Sequence, residues 1–145
     1  MMNRRQNHRR ARTPRRGAAV VEFALVSPLL IMLTMGMMEI GRVVMVKQLL
    51  INASREGARL AILPGSSSAD AKAEVTNALL PSITGATPKV TNQLGAEIEV
   101  SSAASGTPIT VSVTIPAASV SWIPHPLFTI NSTLEASTTM RREGQ

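Results

Sequence analysis

The sequence predicts an α+β fold, in which a long N-terminal helix carries a small antiparallel β-sheet on its second half. Three observations predict it: an apolar stretch long enough to cross a bilayer, a helical period that continues beyond that stretch, and a later change to a period of two residues. We expect a basic cytoplasmic leader at 1–17, a transmembrane plus amphipathic helix at 18–63, and a small extracytoplasmic α+β domain at 64–145.

The apolar stretch runs from Ala18 to Met38 and holds 21 residues with one charge, Glu22. About 20 apolar residues at ~1.5 Å each cross a bilayer core of roughly 30 Å. In lipid every backbone N–H and C=O must be satisfied within the segment, so the stretch is predicted to be helical. The run is longer than the apolar part of a secretory signal, and no small-x-small site follows it, so conventional signal cleavage is not expected.

Positive charge is concentrated before this stretch. The formal net charge of the 145 residues is +6, yet residues 1–17 hold seven arginines and no acid, and the remainder is slightly acidic. Lys and Arg beside a membrane span stay cytoplasmic, so we expect the N-terminus inside and the C-terminus outside. An arginine arm that binds nucleic acid is the alternative, which is disfavoured because no aromatic residue is interleaved for stacking.

The helical period continues beyond Met38 as an amphipathic helix that ends before Pro64-Gly65. Two ion pairs at a spacing of three are expected on it, Glu39 with Arg42 and Glu56 with Arg59. One face is apolar and the other polar; the apolar face is formed by Val43, Val46, Leu50, Ala53, Gly57 and Ala61, and the polar face by Gln48, Asn52, Arg55 and Arg59. The apolar face is expected to pack on Val111 and Val113 of the sheet.

A short helix is predicted from Asp70 to Leu80, and the strands follow it. The clearest strand has apolar residues alternating from Ile109 to Ile115. The other predicted strands are Ala96 to Val100, a less regular final strand from Ile130 to Met140, and an edge strand at Lys89 to Asn92. A longer loop is predicted from Pro116 to Phe128, and it contains Trp122 and His125.

The residues that carry enzyme chemistry are largely missing from the chain. Cysteine is absent, Asp70 is the only aspartate, and the two histidines, His8 and His125, are 117 positions apart. No metal-ligand spacing, glycine-rich phosphate loop or Ser-His-Asp set can be assembled from these residues. We therefore expect a protein that is not an enzyme and that has no cofactor, no catalytic residue and no metal site.

Glu22 is the residue of the span with the strongest claim to a role. A carboxylate at the centre of a membrane span costs roughly 2.5–3.5 kcal/mol on insertion scales. Glu22 is four residues into the span, where it can lie near the interface at a smaller cost. One interpretation is a snorkelling or protonated carboxyl without a special role, and the other is a charge that seeks a partner.

The stretch from Arg15 resembles the TadE-like family, pseudopilin-like proteins of tight adherence (Tad/Flp) pilus systems. The resemblance covers about Arg16 to Ala61 and rests on R-R-G-A-A-V-V-E-F-A-L-V-S-P-L-L, on the E-I-G-R motif of Glu39, Gly41 and Arg42, and on the R-E-G-A-R motif of Arg55, Glu56, Gly57 and Arg59. It implies a pilin-like, single-pass protein of the bacterial cytoplasmic (inner) membrane that acts in pilus assembly and surface adherence.

The resemblance also implies a processing site. Some members of the family are cut by a prepilin peptidase after a glycine, with a glutamate at the fifth position of the mature chain. In this sequence the cut would fall between Gly17 and Ala18, and Glu22 would be the fifth residue. The implied partners are the membrane, other Tad pilus components, the peptidase where cutting occurs, and further subunits that assemble through the N-terminal helix. No nucleic-acid partner is implied.

A second interpretation from a different class stays open at this point. The chain is then a single-pass membrane anchor whose outer domain scaffolds or binds a partner unrelated to any filament. Cleavage distinguishes the two, because a filament subunit loses its first 17 residues and a plain anchor keeps them.

Overall fold

The computed structural model describes residues 16–122 and 132–144, and it confirms the α+β class. Its long elements, in chain order, are α1 (Arg16–Ala61), α2 (Ser68–Leu79), β1 (Thr87–Thr91), β2 (Pro108–Pro116) and β3 (Thr133–Arg141). Short 3₁₀ turns lie at Val100–Ser102 and Ala117–Ser119. The chain divides into two compact units, one ending at Gly36 and the other beginning at Met37.

Helix α1 is one uninterrupted element of 46 residues that contains Pro28. It ends two residues before the predicted Leu63, and Gly65 follows with a φ of +82°. That φ lies in the left-handed region, which glycine enters without a Cβ penalty, so the chain can reverse after the helix. The sequence signal Pro64-Gly65 therefore gave the end of the helix to within two residues.

The two predicted faces of the second half of α1 are confirmed. The predicted apolar face is buried except at Val43, which is half-buried, and the four residues of the polar face are exposed. Leu50 is completely buried and belongs to the same core as Val75 of α2 and Val111 and Val113 of β2. This face and the buried residues of α2 together form the helical layer of the α+β core.

The sheet has three antiparallel strands in the order β1-β2-β3. In the central strand β2 every second residue is fully buried, and these residues are Ile109, Val111, Val113 and Ile115. The predicted edge strand at Lys89 to Asn92 is β1, and the predicted final strand is β3, of which Ile130 lies outside the described residues. The period of two was strict only in β2, where one face of the strand is covered by the core.

The predicted strand from Ala96 to Val100 is wrong. Glu97 forms only an isolated bridge with Thr91, and the chain then turns into the 3₁₀ segment. The reason is Ser68, whose hydroxyl donates to the Ile98 carbonyl and accepts from the Val100 N–H, both at 2.8 Å. These bonds replace a strand ladder, because a serine hydroxyl competes for backbone groups.

Helix α2 begins two residues before the predicted Asp70. Ser67 is its N-cap, and a capping box joins the Ser67 side chain to the Asp70 N–H and the Asp70 carboxylate to the Ser67 N–H at 3.0 Å. The hydrogen bonds from the Ser67 side chain and backbone lower the pKa of Asp70. The next orphan donor, the Ser68 N–H, bonds to a Glu99 carboxylate oxygen at 2.8 Å, and this bond lowers the pKa of Glu99. The helix start is thus fixed by two carboxylates.

Candidate functional site

The apolar first half of α1 is not covered by the rest of the described chain. Among the described residues, one helix is long and apolar enough to cross a membrane, and none of its most apolar 18-residue window is buried. Its large apolar side chains are exposed from Val20 to Met38. An apolar surface of this extent in water is strongly unfavourable, so it indicates a site for lipid or for other helices.

The residues at the expected processing site all lie on this uncovered half of α1. Gly17, Ala18 and Glu22 are exposed. A methyl group built on Gly17 would meet no atom within 4 Å. Ala18 and Glu22 are four residues apart and therefore share a helix face. No ion pair or hydrogen bond to Glu22 occurs in the described part of the chain.

The predicted ion pair between Glu39 and Arg42 is wrong, since the ion pairs of residues 16–122 and 132–144 are formed by other side chains. Arg42 Nε instead donates to the carbonyl of Val120, and the guanidinium lies over the Trp122 ring, 4.6 Å from its centroid. The backbone N–H of Trp122 donates to Glu39 Oε2 at 3.3 Å. Both charges are directed to the segment after β2, because its backbone offers a donor and an acceptor within reach.

Glu39 is the most buried charged residue of this arrangement. It is only 8% exposed, and its Oε1 atom has no hydrogen-bond partner among the described residues. Gly41, between the two charged residues, would accept a methyl group without meeting any atom within 4 Å. The E-I-G-R motif therefore joins the helix to residues 120 and 122, and Gly41 is not required for close packing within the described chain.

The R-E-G-A-R motif divides into a buried glycine and exposed charges. Gly57 is buried where α1, α2 and β2 meet, and a methyl group there would collide with Val75 Cγ2 and lie 3.1 Å from the Ala71 carbonyl oxygen. Arg55 is exposed. The predicted pair of Glu56 and Arg59 is confirmed at 3.6 Å, on the solvent side. The glycine thus serves packing, while the charges stay on the surface.

Sequence reasoning missed several contacts of α1. Lys47 Nζ donates to the Glu135 carbonyl of β3, and the buried Ser54 hydroxyl bonds to Thr138 Oγ1 at 2.8 Å. Nothing in the local period of α1 points to these partners, which are more than 80 residues away. The one sequence signal that could have pointed to the contacts of Arg42 is Trp122, because it is the only tryptophan in the chain.

No group of three or more His, Cys, Asp or Glu side chains that could hold a metal ion occurs among residues 16–122 and 132–144. The loop residues His125 and Phe128 lie outside the described residues, as do His8 and the arginines before Arg16. The geometry therefore directs attention to the surface of α1 and to its two motifs.

Comparison with known proteins bears on this same segment. Residues 17–59 match the family model described as TadE-like protein. The TadE-like segment begins at the glycine of the expected processing site and ends at the last arginine of R-E-G-A-R, so the resemblance noted from the two motifs is confirmed. No curated protein matches the chain, and no solved structure does.

Proposed function

We propose that this protein is a non-enzymatic, membrane-anchored, pseudopilin-like component of Tad pilus assembly and surface adherence. The observation that carries the proposal is that the TadE-like match falls on a helix whose apolar first half is uncovered. A surface of this kind suits insertion in a bilayer and helix-to-helix packing with other subunits. The unit that begins at Met37, which we call the outer unit, has its own core, and the second half of the same helix is part of that core.

The proposed location is the bacterial cytoplasmic membrane, with the N-terminus inside and the outer unit on the far side. Support comes from the seven arginines of residues 1–17, which outnumber the cations Arg42 and Lys47 close behind the span. A reporter enzyme that works only outside the cytoplasm should be active when fused after Gln145. Activity there of a reporter that works only in the cytoplasm would refute this orientation.

We further propose that a prepilin peptidase cuts between Gly17 and Ala18. The new amine at Ala18 would then lie one turn from the Glu22 carboxylate, and in a helical bundle the amine of one subunit could meet the carboxylate of its neighbour. Leaving either charge unpaired in a poorly solvated place is costly, so the pair would set the axial register of an incoming subunit. The exposure of both residues supports this role.

The decisive measurement is the intact mass of the protein isolated from its native membrane. Loss of residues 1–17 supports a processed pilus component, and the full mass supports a plain anchor.

A second experiment tests Glu22. Glu22→Gln keeps the shape of the side chain and removes its charge. We expect the variant to be inserted and cut normally but to lose its co-purification with other pilus components. Glu135→Gln, at an exposed site on β3, is the matched control. If the Glu22→Gln protein is cut and assembles like the wild type, Glu22 has no pairing role.

The second candidate function is a single-pass anchor whose outer unit binds or scaffolds an unrelated partner. The observation that favours it is the separate core of that unit, which does not depend on the apolar first half of α1. Retention of residues 1–17, together with no association with pilus components after cross-linking, would support this candidate over the first.

A further inference from the structure

We propose that Trp122, held by Arg42, seats the outer unit on the headgroup region of the membrane that α1 crosses. The surface concerned consists of Met38, Arg42, Met45 and Trp122, which we call the Trp122 patch. All four residues belong to the unit that begins at Met37. The proposal concerns a lipid contact of the outer unit and does not depend on a role in pili.

The Trp122 ring is fixed in place but left uncovered. Its backbone N–H is bound by Glu39, and Arg42 stacks on its face while bonding to the neighbouring Val120 carbonyl. The residue is nevertheless 69% exposed. A cation over an indole face is attracted by the negative face of the ring, and this attraction favours one placement of the ring. The chain thus orders a large apolar side chain without burying it.

The helix face around Arg42 is apolar and exposed. Met38 lies four residues before Arg42 and Met45 three residues after it, so the three share one stripe of α1. Met38 and Met45 are both exposed, at 61% and 58%. An arginine on such a stripe can lay its stem on apolar surface and keep its guanidinium among polar headgroups.

The position of Arg42 along the helix matches the depth of the headgroups. The apolar run ends at Met38, and four residues at ~1.5 Å each place Arg42 about 6 Å further along α1. The polar region on each side of the hydrocarbon core is about 5–7.5 Å thick, which is half the difference between a total thickness of ~40–45 Å and a core of ~30 Å. Tryptophan is enriched at this level, because its ring is apolar and its N–H is polar. Arg42 in addition offers charge complementarity to lipid phosphate.

The experiment uses the only tryptophan of the chain as the probe. The full-length protein is reconstituted in vesicles of phosphatidylethanolamine and phosphatidylglycerol, with bromine on the acyl chains near either the glycerol or the terminal methyl group. We expect strong quenching of Trp122 fluorescence by the bromine near the glycerol and weak quenching by the deeper one. The control is the double variant Trp122→Phe with Leu94→Trp, because Leu94 is 91% exposed in the turn after β1. Acrylamide in the water should quench the fluorescence of Trp122 by roughly half as much as that of the tryptophan at position 94, or less.

Variants then test the role of Arg42. Arg42→Ala removes the stacking cation and should lower quenching by the shallow bromine about twofold. Arg55→Ala, an exposed arginine of the same helix, should leave it unchanged. Flotation of the protein with the vesicles shows that the membrane anchor is intact. The proposal is overturned if, in floating protein, acrylamide quenches Trp122 as strongly as it quenches the Leu94→Trp probe. It is also overturned if Trp122 is protected from both bromine and acrylamide, because protein then covers the ring. Unchanged quenching in Arg42→Ala refutes the positioning role.

Discussion

Gly57→Ala should destabilise the outer unit, although alanine is the better helix former. The gain in intrinsic helix propensity is about 0.8–1.0 kcal/mol. The added methyl group opposes this gain, because it would collide with Val75 Cγ2. It would also lie 3.1 Å from the Ala71 carbonyl oxygen and 3.3 Å from Val111 Cγ1. Val75 is β-branched and stiff at χ1, and Ala71 contributes backbone, so neither can yield cheaply. Overpacking of this kind costs typically about 1–3 kcal/mol, and occasionally more.

The free energy of unfolding should therefore fall by about 1–2 kcal/mol. This is the upper part of the overpacking range minus the gain in helix propensity. With an m-value of about 2 kcal/mol/M, the urea midpoint should fall by roughly 0.5–1 M. The assay is pulse proteolysis of the full chain in detergent across a urea series. Gly41→Ala is the matched control, because the same methyl on the same helix meets no atom within 4 Å. Equal midpoints for Gly57→Ala and wild type would refute the close approach of α1, α2 and β2 at this position.

Two further predictions use the same assay, and a third uses acid titration. Leu50→Ala should cost about 2–5 kcal/mol, because a fully buried leucine is lost, whereas Gln48→Ala on the exposed face should change the midpoint little; equal effects would refute the assigned faces. Ser67→Ala removes the N-cap of α2 and should cost about 0.5–2 kcal/mol, which an unchanged midpoint would contradict. The pKa of Asp70 is lower in the folded state, so its stabilising contribution is present above its unfolded pKa and is lost as the pH falls through the folded value. In an acid titration, Asp70→Asn should lack the part of the stability loss that Asp70 contributes. Identical stability profiles of the variant and the wild type against pH would refute this contribution.

Periodicity predicted those parts of the fold in which one face of an element is buried and the other is wet. Leu50 and Gln48 were assigned to opposite faces of α1, and Val111 to the buried side of β2, because burial imposes periods of 3.6 and 2 on the sequence. The same reasoning failed at Ile98 and Val100. Their alternation is real, but the Ser68 hydroxyl binds the Ile98 carbonyl and the Val100 N–H. No pattern in residues 96–100 indicates this hydroxyl, which is about 30 residues earlier in the chain.

The candidate site shows the same division between local and tertiary information. The pair of Glu56 and Arg59 follows from spacing alone, because nothing else competes for either charge on the exposed face. Glu39 and Arg42 have the same spacing, yet their partners are Trp122 and Val120, about 80 residues later. A backbone donor and acceptor brought close by the fold replaced the local pair, and only tertiary structure could show it.

Strand β3 and the residues just after it hold the sheet of the outer unit to the end of α1. β3 pairs along the full length of β2, and beyond it the Glu143 N–H donates to the Ile62 carbonyl at 3.1 Å, at the end of α1. Until β3 has been synthesised, the central strand β2 has one open edge, and an open edge can pair with a foreign strand. Contacts this distant in sequence also form slowly. Biogenesis therefore includes an interval in which the helix is already made and the sheet is unfinished, and a ribosome that stalls before Thr133 would leave a chain prone to aggregate.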